Sequence, residues 1–305
     1  MIFFFKLLRK LCRFVRIPYM YSDTHFHFSM VQERTCSDCT DVILQMIRQN
    51  CFFAMDIGTS CDDLSFRKEA LARAFSGLLP ELRPSAERMI HYSAGIWPDT
   101  EAIRDRIRQV CILEQQIDKS GGITAVGECG LDHHWNPSGE DGRCEDDFDS
   151  EMYDAEKQLF EMQLKLARKL QLPVIVHSRD AFADTFEVIK KTGYDNGIIH
   201  CFSYGLEEAK YFLERGWYIS FSGSVTYTKR SRMDDMRSLL RYIPEDRILC
   251  ETDAPYLAPV PVRGQPDTPL FVEHTYKFIA DIREIPVGQL CDTVDNNCRT
   301  LFKLK

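Results

Sequence analysis

The segment SDTHFHF, residues 22–28, sets two histidines one residue apart, with an aspartate two residues before the first. Side chains alternate between faces along an extended strand, so Asp23, His25 and His27 share a face and the two imidazoles form a ready-made chelate. Taken alone, His-x-His is equally compatible with a partly exposed strand end that tolerates two histidines. Four further apolar runs decide between these readings, because each ends on a side chain that can bind metal: Glu128 in GECGLD, His177 in VIVHSRD, His200 in IIHCFS and Asp253 in ETDAPYL. Singly, each is better read as a satisfied core residue or an ion pair. Five strand ends carrying imidazole or carboxylate amount to one ligand set, of the kind that suits zinc, manganese or iron.

Such residues need a scaffold that gathers strand ends. Eight short β-branched or aromatic runs, MYSDT, FFAMDI, IHYSAG, ITAVGE, PVIVH, GIIHC, WYISF and RILCET, alternate with longer segments of helical period. In DAEKQLFEMQLKLARKLQ, Ala155, Leu159, Met162, Leu166 and Leu170 recur at spacings of three and four and make one apolar stripe. Eight such units predict an α/β fold, a (β/α)8 TIM barrel over residues 20–305, with its site where the strands run into the following loops. A doubly wound open sheet would need no eighth strand and usually carries a glycine-rich phosphate loop after its first, which is missing here. The length of 305 residues and a hydrophobic content of 44% suffice for one large core. No stretch reaches the ~20 apolar residues of a membrane span, and the opening MIFFFKLLRK has too short an apolar run for a secretory signal, so a cytoplasmic location is expected. The twelve cysteines follow no secreted-domain framework. Cys51, Cys201 and Cys250 sit in apolar runs as reduced core residues, and the Cys36-x-x-Cys39 pair has no second pair and is assigned no metal.

From about Met20 to the C-terminus, the blocks DTHFHF, GECGLDHHW, VIVHSRDAF, IIHCFS, ILCETDAPYL and VRG occur in an order that resembles the TatD-type metal-dependent hydrolases, deoxyribonuclease-like members of the amidohydrolase superfamily. The resemblance implies that His25, His27, Glu128 and Asp253 hold one divalent ion and that Glu128, His177 and His200 hold a second, with Glu128 as the bridge. It implies Asp253 as the group that takes the proton from the attacking water. It further implies hydrolysis of phosphodiesters in DNA or a related nucleic acid and favours a 3′ end, while a small positive site in an otherwise acidic chain predicts digestion from an end of single-stranded or frayed nucleic acid. Zinc, manganese, magnesium and iron are all open as the ions, and two of them about 4 Å apart can clamp the attacking and leaving oxygens of a phosphodiester. The rival within enzymes is ester or amide hydrolysis, for example of an aminoacyl ester on tRNA, since the same chemistry attacks carbonyl carbon. A non-enzymatic binding protein with a vestigial site is disfavoured by the complete ligand set.

Three segments depart from the resemblance. Trp97, in GIWPD, stands where many relatives have a histidine, which alters a contact at the mouth. Asp267, in RGQPDTP, stands where asparagine is common, so a neutral or phosphate contact there is expected to weaken, while Arg263 is retained. EDGRCEDDFDSE, residues 140–151, carries seven acids against one arginine and reads as a solvated insertion. A net charge of −8 opposes extended contact with a polyanion. That leaves the metal site, Arg179 and Arg263 to receive a phosphate, with pairing of Arg179 to Asp180 as the structural alternative. Trp97, His133 and Tyr256 are available to stack on a terminal base. In residues 1–19, Phe3, Phe4, Leu7, Leu8, Leu11, Phe14 and Val15 alternate with Lys6, Arg9, Lys10, Arg13 and Arg16 at helical spacing. A lipid-binding helix and packing on the barrel floor are both open, and a true start at Met20 is favoured over membrane contact. No stable protein partner is implied.

Overall fold

Each apolar run becomes a strand in the computed structural model, which describes residues 19–35, 37–135 and 143–304. The strands are β1 (Tyr21–Phe26), β2 (Cys51–Asp56), β3 (Ile90–Ala94), β4 (Ala125–Asp132), β5 (Val174–Arg179), β6 (Gly197–Ile199), β7 (Tyr218–Phe221) and β8 (Ile248–Cys250). They lie in sequence order in one eight-stranded sheet, and every neighbouring pair is parallel. A bridge between Phe26 and Ala254 closes the ring. The His27 N–H donates to the Ala254 carbonyl and the Asp253 N–H to the His25 carbonyl, each at 2.8 Å. The fold is therefore a (β/α)8 barrel, and its seam is stitched by the backbone of three of the predicted ligands.

Val174, Ile175, Val176, Ile198, Ile199, Ile219, Ile248 and Leu249 are all buried, as expected of parallel strands covered by helices. Four helices matter for the site: α1 (Phe28–Thr35), which follows β1 at once, α2 (Ser150–Leu170), α3 (Val272–Arg283) and α4 (Val287–Phe302). Asp149 caps α2 by accepting the N–H groups of Glu151 and Met152. The predicted stripe of α2 is present, with Ala155, Leu159 and Leu166 buried and Met162 and Leu170 packed at its margin. Two polar residues, Glu156 and Gln163, are fully buried on the same helix. Gln163 takes the N–H of Ile96 at 2.8 Å and donates to the Ile96 carbonyl at 2.9 Å, which fixes the backbone just before Trp97.

The ten described cysteines are free. Cys36, and with it the Cys36–Cys39 pair, lies outside the described residues, as does all of the basic leading segment before Tyr19. Among the described residues no helix is long and apolar enough to cross a membrane.

Candidate metal centre

The site is built around the pairing of β4 with β5. Gly130 is the partner of His177 in that register, and a Cβ on Gly130, whose φ is +151°, would overlap the His177 carbonyl oxygen. Only glycine lets the two strands approach so closely. Glu128 and Asp132 lie two residues to either side of Gly130 and so share a face. The His177 ring spans them, with Nδ1 2.8 Å from Glu128 Oε1 and Nε2 2.9 Å from Asp132 Oδ2.

Glu128 sits at the centre. Its Oε1 is 2.9 Å from His200 Nε2, and its Oε2 is 3.3 Å from His25 Nε2 and 3.8 Å from His27 Nε2. Asp253 Oδ1 completes the second side, 3.5 Å from His25 Nε2 and 3.6 Å from His27 Nε2. The His25 ring stacks on His200 with centroids 3.9 Å apart and planes 7° from parallel, so packing sets its orientation. Two donor groups result, His25, His27 and Glu128, and Glu128, His177 and His200, each with ligand atoms within 4.8 Å of one another. Both nitrogens of His25 and Nδ1 of His27 are buried without a hydrogen-bond partner. His25 Nε2, buried without a hydrogen-bond partner and facing the carboxylates of Glu128 and Asp253 together with His27 Nε2, fits a divalent cation better than a network of protons. A third grouping, His25, His200 and Glu251, shares these histidines. Glu251, however, already accepts the Cys201 N–H at 2.5 Å and stands 3.4 Å from His200 Nδ1, on the far side of that ring from Glu128.

The electrostatics follow from this crowding. Burial alone would raise the Glu128 carboxyl, but His200, His25 and hydrogen bonds from His177 and His200 hold it well below its ordinary range. Burial disfavours a charged His177, yet Asp132 and Glu128 on either side raise it to about 9. His200 is likewise opposed by burial and raised well above its ordinary value by Glu128 and Glu251. His25 goes the other way, lowered by burial and by its neighbour His200.

Residues 22–303 match the family model described as TatD related DNase. The chain belongs to this family. It is 31% identical over 215 residues to the uncharacterized metal-dependent hydrolase YabD of Bacillus subtilis, a match covering 70% of this chain and 78% of that protein. It is 35% identical over 205 residues, 65% of this chain and 69% of the relative, to a Rahnella protein named 3′-5′ ssDNA/RNA exonuclease TatD. Among solved structures it is similar to YJJV, a TatD homolog from Escherichia coli k12, with a TM-score of 0.73 and 25% identity over 93% of this chain and 98% of that one. As a TatD-family member the chain is a metal-dependent hydrolase of ester bonds.

The donor groups open into a cleft of about 630 Å³ lined by His27, Glu128, His177, His200 and Asp253, and by the predicted contacts Trp97, Arg179 and Tyr256. His25 lies beneath, fully buried. Asp23, expected on the ligand face, instead accepts the backbone N–H groups of His25 and Thr252 and the Thr252 hydroxyl. Two of the predicted contacts stand elsewhere. His133 turns away to Tyr153, at 4.9 Å between rings, and to Glu156, and Arg263 lies over the Tyr227 ring at 4.1 Å, outside the cleft lining. Asp180 pairs with His134 at 3.0 Å rather than with Arg179.

Two expectations are corrected. The acidic segment is not simply a solvated insertion, because its arginine, Arg143, is 1% exposed. Arg143 meets Glu156 at 3.0 Å, donates to the carbonyls of Pro98 and Asp132, and packs against the faces of Phe148, Trp135 and Trp97. Its one positive charge was outweighed by seven acids in a count that ignores direction. Asp267 is not a charged contact at the mouth either. It is fully buried, its Oδ1 accepts the Thr268 N–H at 2.8 Å, and burial pushes its carboxyl up to about 8.

Asp132, Glu251, Arg143 and Glu156 escaped the sequence reading, and so did Arg34 of α1, whose guanidinium lies 4.5 Å from the Tyr256 ring centre. For Asp132 a signal existed, since it stands four residues after Glu128 and alternation places both on one face.

Proposed function

We propose that this protein is a two-metal nuclease that removes nucleotides from single-stranded 3′ ends of DNA. The observation that carries the reading is Glu128, whose two oxygens face different imidazole pairs, His177 with His200 and His25 with His27. His25, His27, Glu128 and Asp253 would hold one ion and Glu128, His177 and His200 the other, an imidazole-rich set better suited to zinc, manganese or iron than to magnesium. Ions bound there would supply Lewis-acid polarisation of a phosphoryl oxygen and lower the pKa of an attacking water. Asp253, whose side chain is 15% exposed against 5% for Glu128, is the more open of the two carboxylates and would take that water's proton. The Asp253 backbone is held at φ 65° by its N–H bond to His25 and by the Tyr256 N–H bond to its own carbonyl. His177 and His200 are oriented from behind by Asp132 and Glu251, as ligating imidazoles commonly are.

The cleft volume suits one or two nucleotides rather than a duplex. The net charge of −8 likewise disfavours a long polyanion track. The Rahnella relative's name agrees in polarity and in strandedness. The test incubates metal-loaded protein with 3′- and 5′-labelled single strands, blunt duplexes and closed circles, with chelator controls. Stepwise loss from 3′ ends of single strands is expected. Rapid cutting of closed circles would overturn the end-directed reading, and turnover of an aminoacyl ester with inactivity on every phosphodiester would replace it.

A further inference from the structure

We infer that a nucleic-acid strand crosses the mouth from the β5 side to the β1 side, and that Arg34 with Tyr256 forms the outer subsite, gripping a phosphodiester and base of the retained strand. The inference rests on the nuclease reading above. In a closed ring of eight strands taken in order, β1 and β5 stand opposite each other. Arg179 ends β5 and Arg34 lies in the helix that follows β1, so two arginines flank the donor groups from opposite sides.

Both arginines are exposed, and neither meets a carboxylate among the described residues, although the chain carries 46 acids to 38 basic residues. Arg34 is held in place by Tyr256 instead, its guanidinium 4.5 Å from the ring centre. A guanidinium stacked in this way keeps its N–H edge open for bidentate contact with phosphate. The Tyr256 ring in turn meets His27 edge-on at 6.3 Å, and the Tyr256 N–H is bonded to the Asp253 carbonyl at 2.9 Å. Helix α1 is pinned by the Phe28 N–H to Asp56 at 3.0 Å and by the Val31 N–H to the His27 carbonyl at 2.9 Å. Arg34 is seven residues beyond His27, about 10 Å along a helix, or roughly three times the 3.4 Å rise per nucleotide of a stacked strand. The subsite is thus rigidly referenced to the ligands and a few nucleotides away from them.

The direction follows from what lines each side. Towards β3, β4 and β5 the cleft is lined by Trp97, whose ring lies against the buried Arg143, itself packed on Trp135 and Phe148. Towards β1 and β8 it is lined by Tyr256, which is 38% exposed, with Arg34 exposed beyond it. A terminal nucleoside fits beside Trp97, the ring held firmest from behind, with Arg179 near its phosphate. The continuing strand then leaves over Tyr256 and Arg34.

The test compares wild type with Arg34→Gln, Arg34→Lys, Tyr256→Leu and Tyr256→Phe on a dinucleotide and on a single-stranded 12-mer. A second measurement follows binding of a fluorescent 12-mer to chelator-treated protein, which cannot turn it over, by fluorescence anisotropy over a salt series. For Arg34→Gln and Tyr256→Leu, the loss of kcat/KM on the 12-mer should exceed that on the dinucleotide at least fivefold. The salt slope of binding should fall by about 0.7 for Arg34→Gln, one phosphate contact on a single strand. Arg34→Lys should recover part of the slope, and Tyr256→Phe, which keeps the ring, should lose less on the 12-mer than Tyr256→Leu. Equal losses on both substrates, or no loss on either, while wild type digests strands, would overturn the subsite alone. A wild type that neither binds nor cuts any strand would overturn the nuclease reading and the subsite with it.

Discussion

At the residue scale, the centre separates groups that can touch an ion from groups that aim them. Among the described residues Glu128 is the one side chain within 4 Å of His25, His27, His177 and His200, whereas Asp132 reaches only His177 of these, on the nitrogen facing away from Glu128. Removing the shared carboxylate and removing the aiming one should therefore differ in kind. Glu128→Ala is expected to lose both ions or keep one weakly, with activity abolished, while Asp132→Asn keeps both sites and weakens metal affinity about 10- to 100-fold. Elemental analysis and metal titration distinguish them, and two full equivalents of metal on Glu128→Ala would sink the bridge. Asp267 makes a separate case, one of charge without chemistry. Its folded pKa of about 8 lies above the ordinary carboxylate value. The stability it contributes is therefore complete below about pH 4 and is lost as the pH rises towards 8, because the folded state holds the proton more tightly than the unfolded one. Asp267→Asn stays neutral throughout. Its melting temperature should gain on wild type progressively from pH 5 to pH 8.5, by several degrees at the upper end for a gain of ~2 kcal/mol. A difference that does not change with pH would show that Asp267 carries no buried proton.

At the element scale, what the sequence could reveal was periodicity and position. All eight strands were legible because a parallel strand under helices is a short apolar run. The donor side chains that converge on Glu128 were legible because barrel strand ends gather at one face. What escaped depends on which strands become neighbours. The role of Asp132 is visible only once Gly130 is set opposite His177, and Glu251 acts through an imidazole 51 residues earlier in the chain. Arg143 illustrates the same limit from a loop. Its worth lies in Glu156 and in three aromatic faces, partners separated from it by up to 46 residues, and composition carries no information about such a convergence. Helix α2 was read correctly as a stripe, but its two buried polar residues were invisible as such. Glu156 and Gln163 interrupt an apolar face, and each is tied to a loop, Gln163 to the Ile96 backbone and Glu156 through Oε1 to Arg143 and the Asp132 N–H.

At the scale of the whole molecule, closing the barrel and assembling the site are one event, since the β1–β8 seam is made by backbone groups of His25, His27 and Asp253. The first strand is also tied to the last two helices. The Ser22 N–H donates to the Tyr276 hydroxyl of α3 at 3.1 Å, that hydroxyl donates to the Ser22 carbonyl at 2.9 Å, and the Ser22 hydroxyl donates to Asp295 of α4 at 2.6 Å. All these contacts begin at Tyr21 or later. Tyr19 adds a smaller one, its ring lying where a side chain on Gly288 would otherwise extend. A chain begun at Met20 should consequently fold, bind the same metal equivalents and turn over like the longer form. Loss of the Tyr19 contact should cost about 1 kcal/mol, which for a domain of this size lowers the melting temperature by roughly 2–4 °C. Thermal melting and metal titration of the two forms side by side check this. A fall of ten degrees or more, or the loss of a metal equivalent, would show that the leading residues pack on the barrel. Binding of anionic vesicles by the longer form alone would identify them as a membrane anchor.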